Sequence, residues 1–253
     1  MKIKFSTIVI VVFLSLIAVG IYQIYTLIKN EGGLVNSVNT ECPRKEPYKL
    51  LPEFERARSL RQQRLEEAGY ELDHSFYNCI NIEYSDTLGT NQAEGLFYFD
   101  ENSSISNLKI LVDSSYKLKD DLLTATLLQH EFVHVGQFVK KLRTGESKSC
   151  VDQEVEAFIQ ELNFLATLNT EEKMSLVQRL IYQKEGGYEN NASENFLYQL
   201  SSLIEFNEKS SIYCNKRFAT KTEDWKSCFF DKRWDLVTEM VSSSTFYKKQ
   251  CGL

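Results

Sequence analysis

Proline is scarce in this sequence of 253 residues and absent from most of it. The three prolines, Pro43, Pro47 and Pro52, lie within ten residues of one another. Proline interrupts a helix interior by removing a backbone donor and clashing with the preceding turn, so the rest of the chain is free to form long helices. The proline cluster, with two glycines shortly upstream, predicts a linker over residues 29–51.

An excess of basic residues is also lacking. The chain has 29 Lys and Arg against 35 Asp and Glu, which gives a net charge of -6 at pH 7. Nucleic-acid binding needs a positively charged face, and no basic run interleaved with aromatic residues provides one. Nucleic acid is therefore excluded as the main partner. The hydrophobic share of 43% and charged share of 25% are typical of a packed globular protein.

The N-terminus carries the one long apolar run. Lys2 and Lys4 precede an almost continuous apolar stretch from Phe5 to Ile28, and a membrane-spanning helix needs about 20 apolar residues. Residues 1–28 are therefore predicted to be a transmembrane anchor or a signal. A cleaved signal is the alternative because Ala18–Gly20 offers a small-residue cleavage site, but the apolar run continues beyond it and favours the anchor.

Both interpretations export the remaining chain, because positive charge is weighted to the N-terminal flank. The protein is therefore predicted to be membrane-anchored and extracytoplasmic, either periplasmic or on the cell surface, and alternatively secreted. An even number of cysteines in an exported chain suggests up to three disulfides. The last three cysteines are expected to staple the C-terminal helices, with the option of one bridge to an earlier cysteine. The six are Cys42, Cys79, Cys150, Cys214, Cys228 and Cys251.

The order of residue patterns predicts an α+β fold. An N-terminal transmembrane helix and the linker precede a domain over residues 52–253, in which a small antiparallel sheet is followed by a helical bundle. The expected strands are Cys79–Tyr84, Gly95–Phe99 and Leu108–Val112. The expected helices are Glu53–Ala68, Asp120–Leu142, Val151–Leu168, Asn169–Gly186, Glu194–Glu208 and Glu223–Ser242.

Histidine is rare as well, and two of the three histidines lie in one HExxH motif, His130 to His134. A spacing of four residues on a helix stacks the two imidazoles on one face, which suits a tetrahedral Zn²⁺. Glu131 is offset by one residue, so it can reach a water on the metal without being a ligand. Zinc lowers the pKa of that water to about 7, and a carboxylate can then accept its proton. We predict His130 and His134 as zinc ligands and Glu131 as the catalytic base.

The helix that carries the motif is apolar on nearly all sides and is expected to be buried. Buried His, Glu and His side chains need partners, because an unsatisfied polar group is penalised by several kcal/mol. A metal site supplies them. The alternative is a pair of core histidines bonded to backbone carbonyls, with Glu131 at an exposed edge.

The third ligand is expected from the next helix. Its apolar stripe leaves Glu156 pointing away, while Asp152 and Glu154 lie on opposite margins of the stripe, so periodicity does not choose between these two. Lys140 stands where a metzincin has its third histidine, which excludes that class. The apolar stripe of the predicted Val151–Leu168 helix, from which the positions of the three acids were judged, consists of Val151, Val155, Phe158, Ile159, Leu162 and Leu165.

HExxH followed by Glu154-x-x-Ala157 resembles the zincin metallopeptidases of the gluzincin type, over residues 95–165. In that group the first glutamate of the downstream motif is a ligand, so the resemblance implies Glu154 as the third zinc ligand. Phe158 stands where many relatives have Asp or Asn, so the carboxylate that orients a histidine is not at the family's position. Asp152 is a candidate substitute.

The resemblance also implies an edge strand before the active-site helix that pairs with extended substrate. Leu108–Val112 is the candidate, with an ordinary core strand as the alternative. Many zincins stabilise the oxyanion through a Tyr or His donor, and four downstream tyrosines are candidates that the sequence does not rank. They are Tyr182, Tyr188, Tyr198 and Tyr213.

The predicted function is that of a zinc-dependent peptidase acting at the extracytoplasmic side of a membrane. It would hydrolyse peptide bonds in a peptide or protein substrate by means of a metal-activated water. The alternative is a membrane-tethered, non-catalytic binding or structural protein with a vestigial metal site. The missing acid at position 158 and the unassigned oxyanion donor keep that alternative open.

Overall fold

The computed structural model describes residues 41–88, 93–99, 105–118, 120–182, 191–220 and 222–252. The predicted anchor or signal over residues 1–28 and the first part of the predicted linker lie outside these ranges. Residues 41–51 are attached to the domain, because Cys42 forms a disulfide with Cys79 and Leu50 is buried in the core. Among the helices of the described ranges, none combines the length and the apolar character that a membrane crossing requires.

The protein is mostly helical, with seven α-helices and three short strands in its described part. The helices are α1 (Pro52–Glu67), α2 (Asp121–Thr144), α3 (Cys150–Thr167), α4 (Thr170–Tyr182), α5 (Asn191–Asn215), α6 (Glu223–Ser243) and α7 (Thr245–Gln250). The strands are β1 (Ile80–Ser85), β2 (Gly95–Tyr98) and β3 (Leu108–Asp113).

The predicted α+β class with an antiparallel sheet is therefore wrong. The strands form a mixed sheet in the order β1-β3-β2, in which β1 is parallel to β3 and β2 is antiparallel to β3. Alternating apolar residues specify which face of a strand is buried but not the direction of its neighbour.

The prediction of Leu108–Val112 as an edge strand is wrong for a related reason. β3 lies in the centre of the sheet, and its two edges pair with β1 and β2. The edge strand was implied by the resemblance to the zincins, and the alternative, an ordinary core strand, is the one that the structure supports. The strand that packs against α2 is instead β2, the previous strand in the chain.

Local capping sets the bounds of the two helices that carry the motif residues. The carboxylate of Asp120 accepts hydrogen bonds from the N–H groups of Leu122 and Leu123, which begins α2. The helix ends at Gly145, whose φ of 73° lies in the left-handed region that favours glycine. The hydroxyl of Ser149 accepts from the N–H of Asp152 and begins α3.

Helix α2 lies in the centre of the domain, packed against α1, α3 and β2. All residues from Leu122 to Phe132 are buried. The buried Arg61 of α1 donates to Gln129 Oε1 at 2.7 Å and to the Tyr77 hydroxyl at 3.0 Å. These contacts fix the rotation of α2 one residue before His130.

Three disulfides confirm the expectation drawn from the even cysteine count. They join Cys42 to Cys79, Cys150 to Cys251 and Cys214 to Cys228. The third bridge links α5 to α6, and the second reaches back from the C-terminus to the first residue of α3, as the staple prediction allowed. Three disulfides fit an extracellular or secreted protein.

Candidate metal centre

The structure brings His130, His134 and Glu154 together at the interface of α2 and α3. The two Nε2 atoms lie 3.1 Å apart, and Glu154 Oε2 lies 3.4 Å from His130 Nε2 and 3.6 Å from His134 Nε2. The ligand atoms of all three side chains fall within 4.8 Å of one another. This group can hold a metal ion.

The orientation of His134 is fixed by Gln137, one helical turn further along α2. Gln137 Nε2 donates to Gln153 O at 3.0 Å and to Glu156 Oε2 at 2.9 Å. These two acceptors turn Gln137 Oε1 toward His134 Nδ1, 2.9 Å away. Because an amide oxygen only accepts, His134 Nδ1 carries a proton and donates it. In the neutral ring, Nε2 therefore presents a lone pair to the metal group.

His130 is held from the other side by Glu161 and Phe158. Glu161 Oε2 lies 3.3 Å from His130 Nδ1, a contact that is an ion pair when the ring is protonated. Neither carboxylate oxygen of Glu161 has a hydrogen-bond partner among the described residues. Phe158 packs edge-on against the His130 ring, with centroids 4.5 Å apart. A carboxylate on Nδ1 raises the basicity of a histidine ligand and fixes its tautomer.

The charges of the group favour a positive charge between its ligand atoms. Burial lowers the pKa of His130, but the contacts with Glu154 and Glu161 outweigh this effect and raise the pKa to about 10. Burial raises the pKa of Glu154, but its contacts with His130 and His134 outweigh this effect and lower the pKa to about 2. In the metal-free chain, the proton on His130 therefore reduces the repulsion among the acceptor atoms of the three converging side chains. A metal ion fits the same place.

Glu131 lies beside this group without belonging to it. Its carboxylate accepts a hydrogen bond from the Phe97 N–H of β2 and packs directly against Gly95. Burial raises the pKa of Glu131, and the charge of Glu154 adds to this rise, while His130, His134 and the Phe97 N–H act in the opposite direction. The side chain is therefore held at a fixed point between α2 and the sheet.

The metal group faces a large cavity of about 1540 Å³. His130, Glu131, His134 and Glu154 all line it. One wall is aromatic and consists of Phe97, Phe99 and Phe138, whose neighbouring ring centroids lie between 4.5 and 5.7 Å apart. A molecule larger than water can therefore reach the metal group.

The other acidic candidates and the third histidine lie elsewhere. Asp152 is exposed in the first turn of α3 and accepts from the Ser149 hydroxyl at 2.6 Å. Glu156 contacts Gln137 and forms a salt bridge to Lys148 Nζ at 3.0 Å. His74 lies on the surface, 3.2 Å from Glu66. Of the acids that periodicity left open, the structure brings Glu154 and not Asp152 to the histidines.

None of the four tyrosines proposed as oxyanion donors is placed at the metal group within the described structure. Tyr213 is exposed and lies under the Arg217 guanidinium, 3.6 Å from its ring centroid. The side chains of Tyr182, Tyr188 and Tyr198 lie outside what the structure describes. Tyr247 of α7, which the sequence did not single out, lines the cavity and packs against Phe158.

Besides Tyr247, three polar residues that contact the metal group were missed by the sequence interpretation. Glu161 follows Glu154 by seven residues, which places both on one face of α3, and this spacing could have identified it. Gln137 follows His134 by three residues, which is also a local signal. Gln250 donates to Glu154 Oε1 at 2.9 Å, and no local pattern connects two residues that are 96 positions apart.

Comparison of the chain with protein-family models, with curated proteins and with solved structures finds no match. The functional argument therefore depends on the residues of this chain and on the geometry described above.

Proposed function

We propose that this chain is a zinc-dependent peptidase of the zincin type, acting outside the cytoplasm. His130, His134 and Glu154 are the ligands in this proposal, and Glu131 is the catalytic base. The observation that carries it is a three-ligand group that opens onto a cavity with a fourth, non-ligating carboxylate beside it. A structural zinc site has four protein ligands, whereas a catalytic one keeps an open position.

The donor set and its dimensions support zinc. Two imidazole nitrogens and one carboxylate oxygen are a ligand set found in catalytic zinc sites. Zinc–ligand bonds of about 2.0–2.1 Å in a tetrahedral arrangement require neighbouring ligand atoms to be roughly 3.3 Å apart. The separations here are 3.1, 3.4 and 3.6 Å. The group needs only small adjustments to fit.

The chain's own residues support hydrolysis by a general-base route. Zinc, when bound, polarises a substrate carbonyl and lowers the pKa of a water to about 7. Glu131 accepts the proton of the attacking water and passes it to the leaving amine. The Phe97 N–H keeps the Glu131 carboxylate aimed at the cavity during this transfer. Gln137 and Glu161 hold the two histidines so that neither ring turns away.

The outer edge of β2 supports an extended peptide as substrate. β3 occupies the inner edge of β2, while the Phe97 N–H points the other way, toward Glu131. A peptide that pairs with the outer edge adds a strand to the sheet and runs alongside Glu131 and the metal group. In this proposal β2, and not Leu108–Val112, is the strand that pairs with extended substrate.

The full chain, purified with its disulfides formed and without chelators, is expected to contain one zinc ion per molecule. Elemental analysis by mass spectrometry measures this stoichiometry. Hydrolysis of a pool of internally quenched peptides should stop on addition of a chelator and resume when zinc is restored. A chain that retains no zinc contradicts the proposal. A chain that holds zinc but cleaves no peptide instead supports a non-catalytic metal-binding protein.

The substitution Gly95→Ala tests the placement of Glu131. A Cβ at this position would lie 2.9 Å from Glu131 Cδ and closer still to Oε1, so the carboxylate must move. Because a misplacement of 1 Å at a reacting group can reduce the rate by about 10²-fold, we expect kcat to fall by that order. Zinc content and the melting temperature should change little, since only the end of one non-ligating side chain is displaced.

Gly136→Ala is the matched control for this substitution. Its added Cβ would meet no atom within 4 Å other than those of its chain neighbours and its own helix backbone, although Gly136 also lines the cavity. We expect this variant to retain wild-type kcat. Equal activities of the two alanine variants would show that the position of Glu131 is unimportant for the reaction.

A further inference from the structure

The C-terminal helix reaches back to the metal group through Gln250. Gln250 Nε2 donates a hydrogen bond of 2.9 Å to Glu154 Oε1. The next residue, Cys251, forms a disulfide with Cys150, the first residue of α3. Since Glu154 lies one turn after Cys150, a covalent bond and a hydrogen bond join the same two segments side by side.

Because of this hydrogen bond, the two carboxylate oxygens of Glu154 have different partners. Oε2 faces His130 and His134 at 3.4 and 3.6 Å, whereas Oε1 is occupied by Gln250. A free carboxylate can rotate and can offer either oxygen, or both, to a metal ion. With Oε1 held, Glu154 presents a single oxygen in a fixed direction.

Helix α7 depends on other contacts for its position. It has only six residues, and an isolated helix of that length is not stable in water. The hydroxyl of Ser244 caps its first turn, and Tyr247 is buried against Phe158. At its other end, the Cys150–Cys251 disulfide is the covalent attachment that holds Gln250 close to Glu154.

We propose that Gln250 is a positioning residue for the ligand Glu154, and that the Cys150–Cys251 disulfide keeps it in place. The affinity of the chain for zinc is therefore linked to a disulfide whose sulfur atoms are not ligands. This inference rests on the proposed zinc site. Gln250 is itself exposed, so its replacement leaves the core intact and changes the ligand orientation alone.

The test measures the zinc dissociation constant of the full chain by competition with a chromophoric chelator. Gln250→Met keeps the side-chain volume and removes the hydrogen bond. Partners of metal ligands typically account for about 10- to 100-fold in affinity, so we expect zinc binding to weaken at least about ten-fold. Gln62→Met is the matched control, because Gln62 makes a similar 3.0 Å bond to Glu66 on the exposed face of α1.

The disulfide is tested by a second pair of variants. Replacing both Cys150 and Cys251 by serine should weaken zinc binding in the same direction as Gln250→Met. Replacing both Cys214 and Cys228 by serine removes a bridge between α5 and α6 and should leave zinc affinity close to that of the wild type. Adding Gln250→Met to the Cys150 and Cys251 variant should cause little further loss, because both changes act through one contact.

Cobalt provides a readout that a general loss of stability does not produce. The visible absorption of bound Co²⁺ depends on its coordination number, and release of Glu154 Oε1 allows a second oxygen to coordinate. We expect a weaker and altered spectrum for Gln250→Met and an unchanged one for Gln62→Met. Wild-type affinity together with a wild-type spectrum in Gln250→Met overturns the positioning role alone. A wild-type chain that binds neither zinc nor cobalt overturns the metal site as well.

Discussion

Replacing Glu131 by glutamine is expected to reduce kcat by about 10²- to 10⁴-fold, which is the usual contribution of a general base. The glutamine side chain has nearly the same shape, and its carbonyl oxygen can still accept from the Phe97 N–H. It cannot accept a proton from water. Since Glu131 is not among the three ligands, the variant should bind zinc as tightly as the wild type. Peptide hydrolysis and zinc titration of the same preparation measure the two effects.

Glu146→Gln is the control for the loss of a carboxylate at the cavity. Glu146 also lines the cavity, but it pairs with Lys140 and is exposed. We expect its replacement to leave kcat unchanged. Burial raises the pKa of Glu131, so the neutral glutamine should not reduce the stability of the fold. Hydrolysis by Glu131→Gln at nearly the wild-type rate would show that another group accepts the proton.

The sequence predicted six of the seven described helices and, together with the resemblance, the three side chains of the metal group between α2 and α3. Helix periodicity and capping residues are local, and the expected Asp120–Leu142 helix corresponds to an observed helix over Asp121–Thr144. The HExxH spacing also places two histidines on one face without knowledge of the fold. Only the resemblance to the zincins favoured Glu154 over Asp152 as the third ligand. The structure gives a physical reason, because Asp152 is bound to the Ser149 cap.

The sheet and the contacts between distant segments could not be predicted in this way. The alternation of apolar and polar residues along a strand does not indicate the order or direction of the neighbouring strands. The sheet was therefore wrongly expected to be antiparallel. The carboxylate that orients His130 was sought at position 158 or at Asp152, but it comes from Glu161, one helical turn after Phe158. Gln250 was inaccessible to sequence reasoning because the pairing of Cys150 with Cys251 brings it to the site.

Removing a ligand is expected to weaken zinc binding by a factor similar to the loss of kcat expected for Glu131→Gln. Glu154→Gln and His134→Ala should each weaken zinc binding by more than about 100-fold, since even the outer partners of ligands account for about 10- to 100-fold. Both variants should lose hydrolysis as a consequence. Asp152→Asn and His74→Ala are the matched controls, because they remove an acid of the same helix and the one other histidine of the chain. Isothermal titration with zinc compares all four.

The thermal readout has to be the zinc-induced rise in melting temperature within each variant. Burial raises the pKa of Glu154, but its contacts with the two histidines outweigh this effect and lower the pKa to about 2. Its charged form therefore stabilises the metal-free chain at neutral pH, and this contribution is lost as the pH falls through that pKa. Glu154→Gln therefore lowers the melting temperature even without zinc. Zinc at 1000 times its dissociation constant adds about 4 kcal/mol, or roughly 8–16 °C for a chain of this size. At a single zinc concentration, 1000 times the wild-type dissociation constant, that rise should persist in Asp152→Asn and fall to about a third or less in Glu154→Gln, because binding weakened about 100-fold leaves about 1.4 kcal/mol. The opposite pattern would identify Asp152, and not Glu154, as the third ligand.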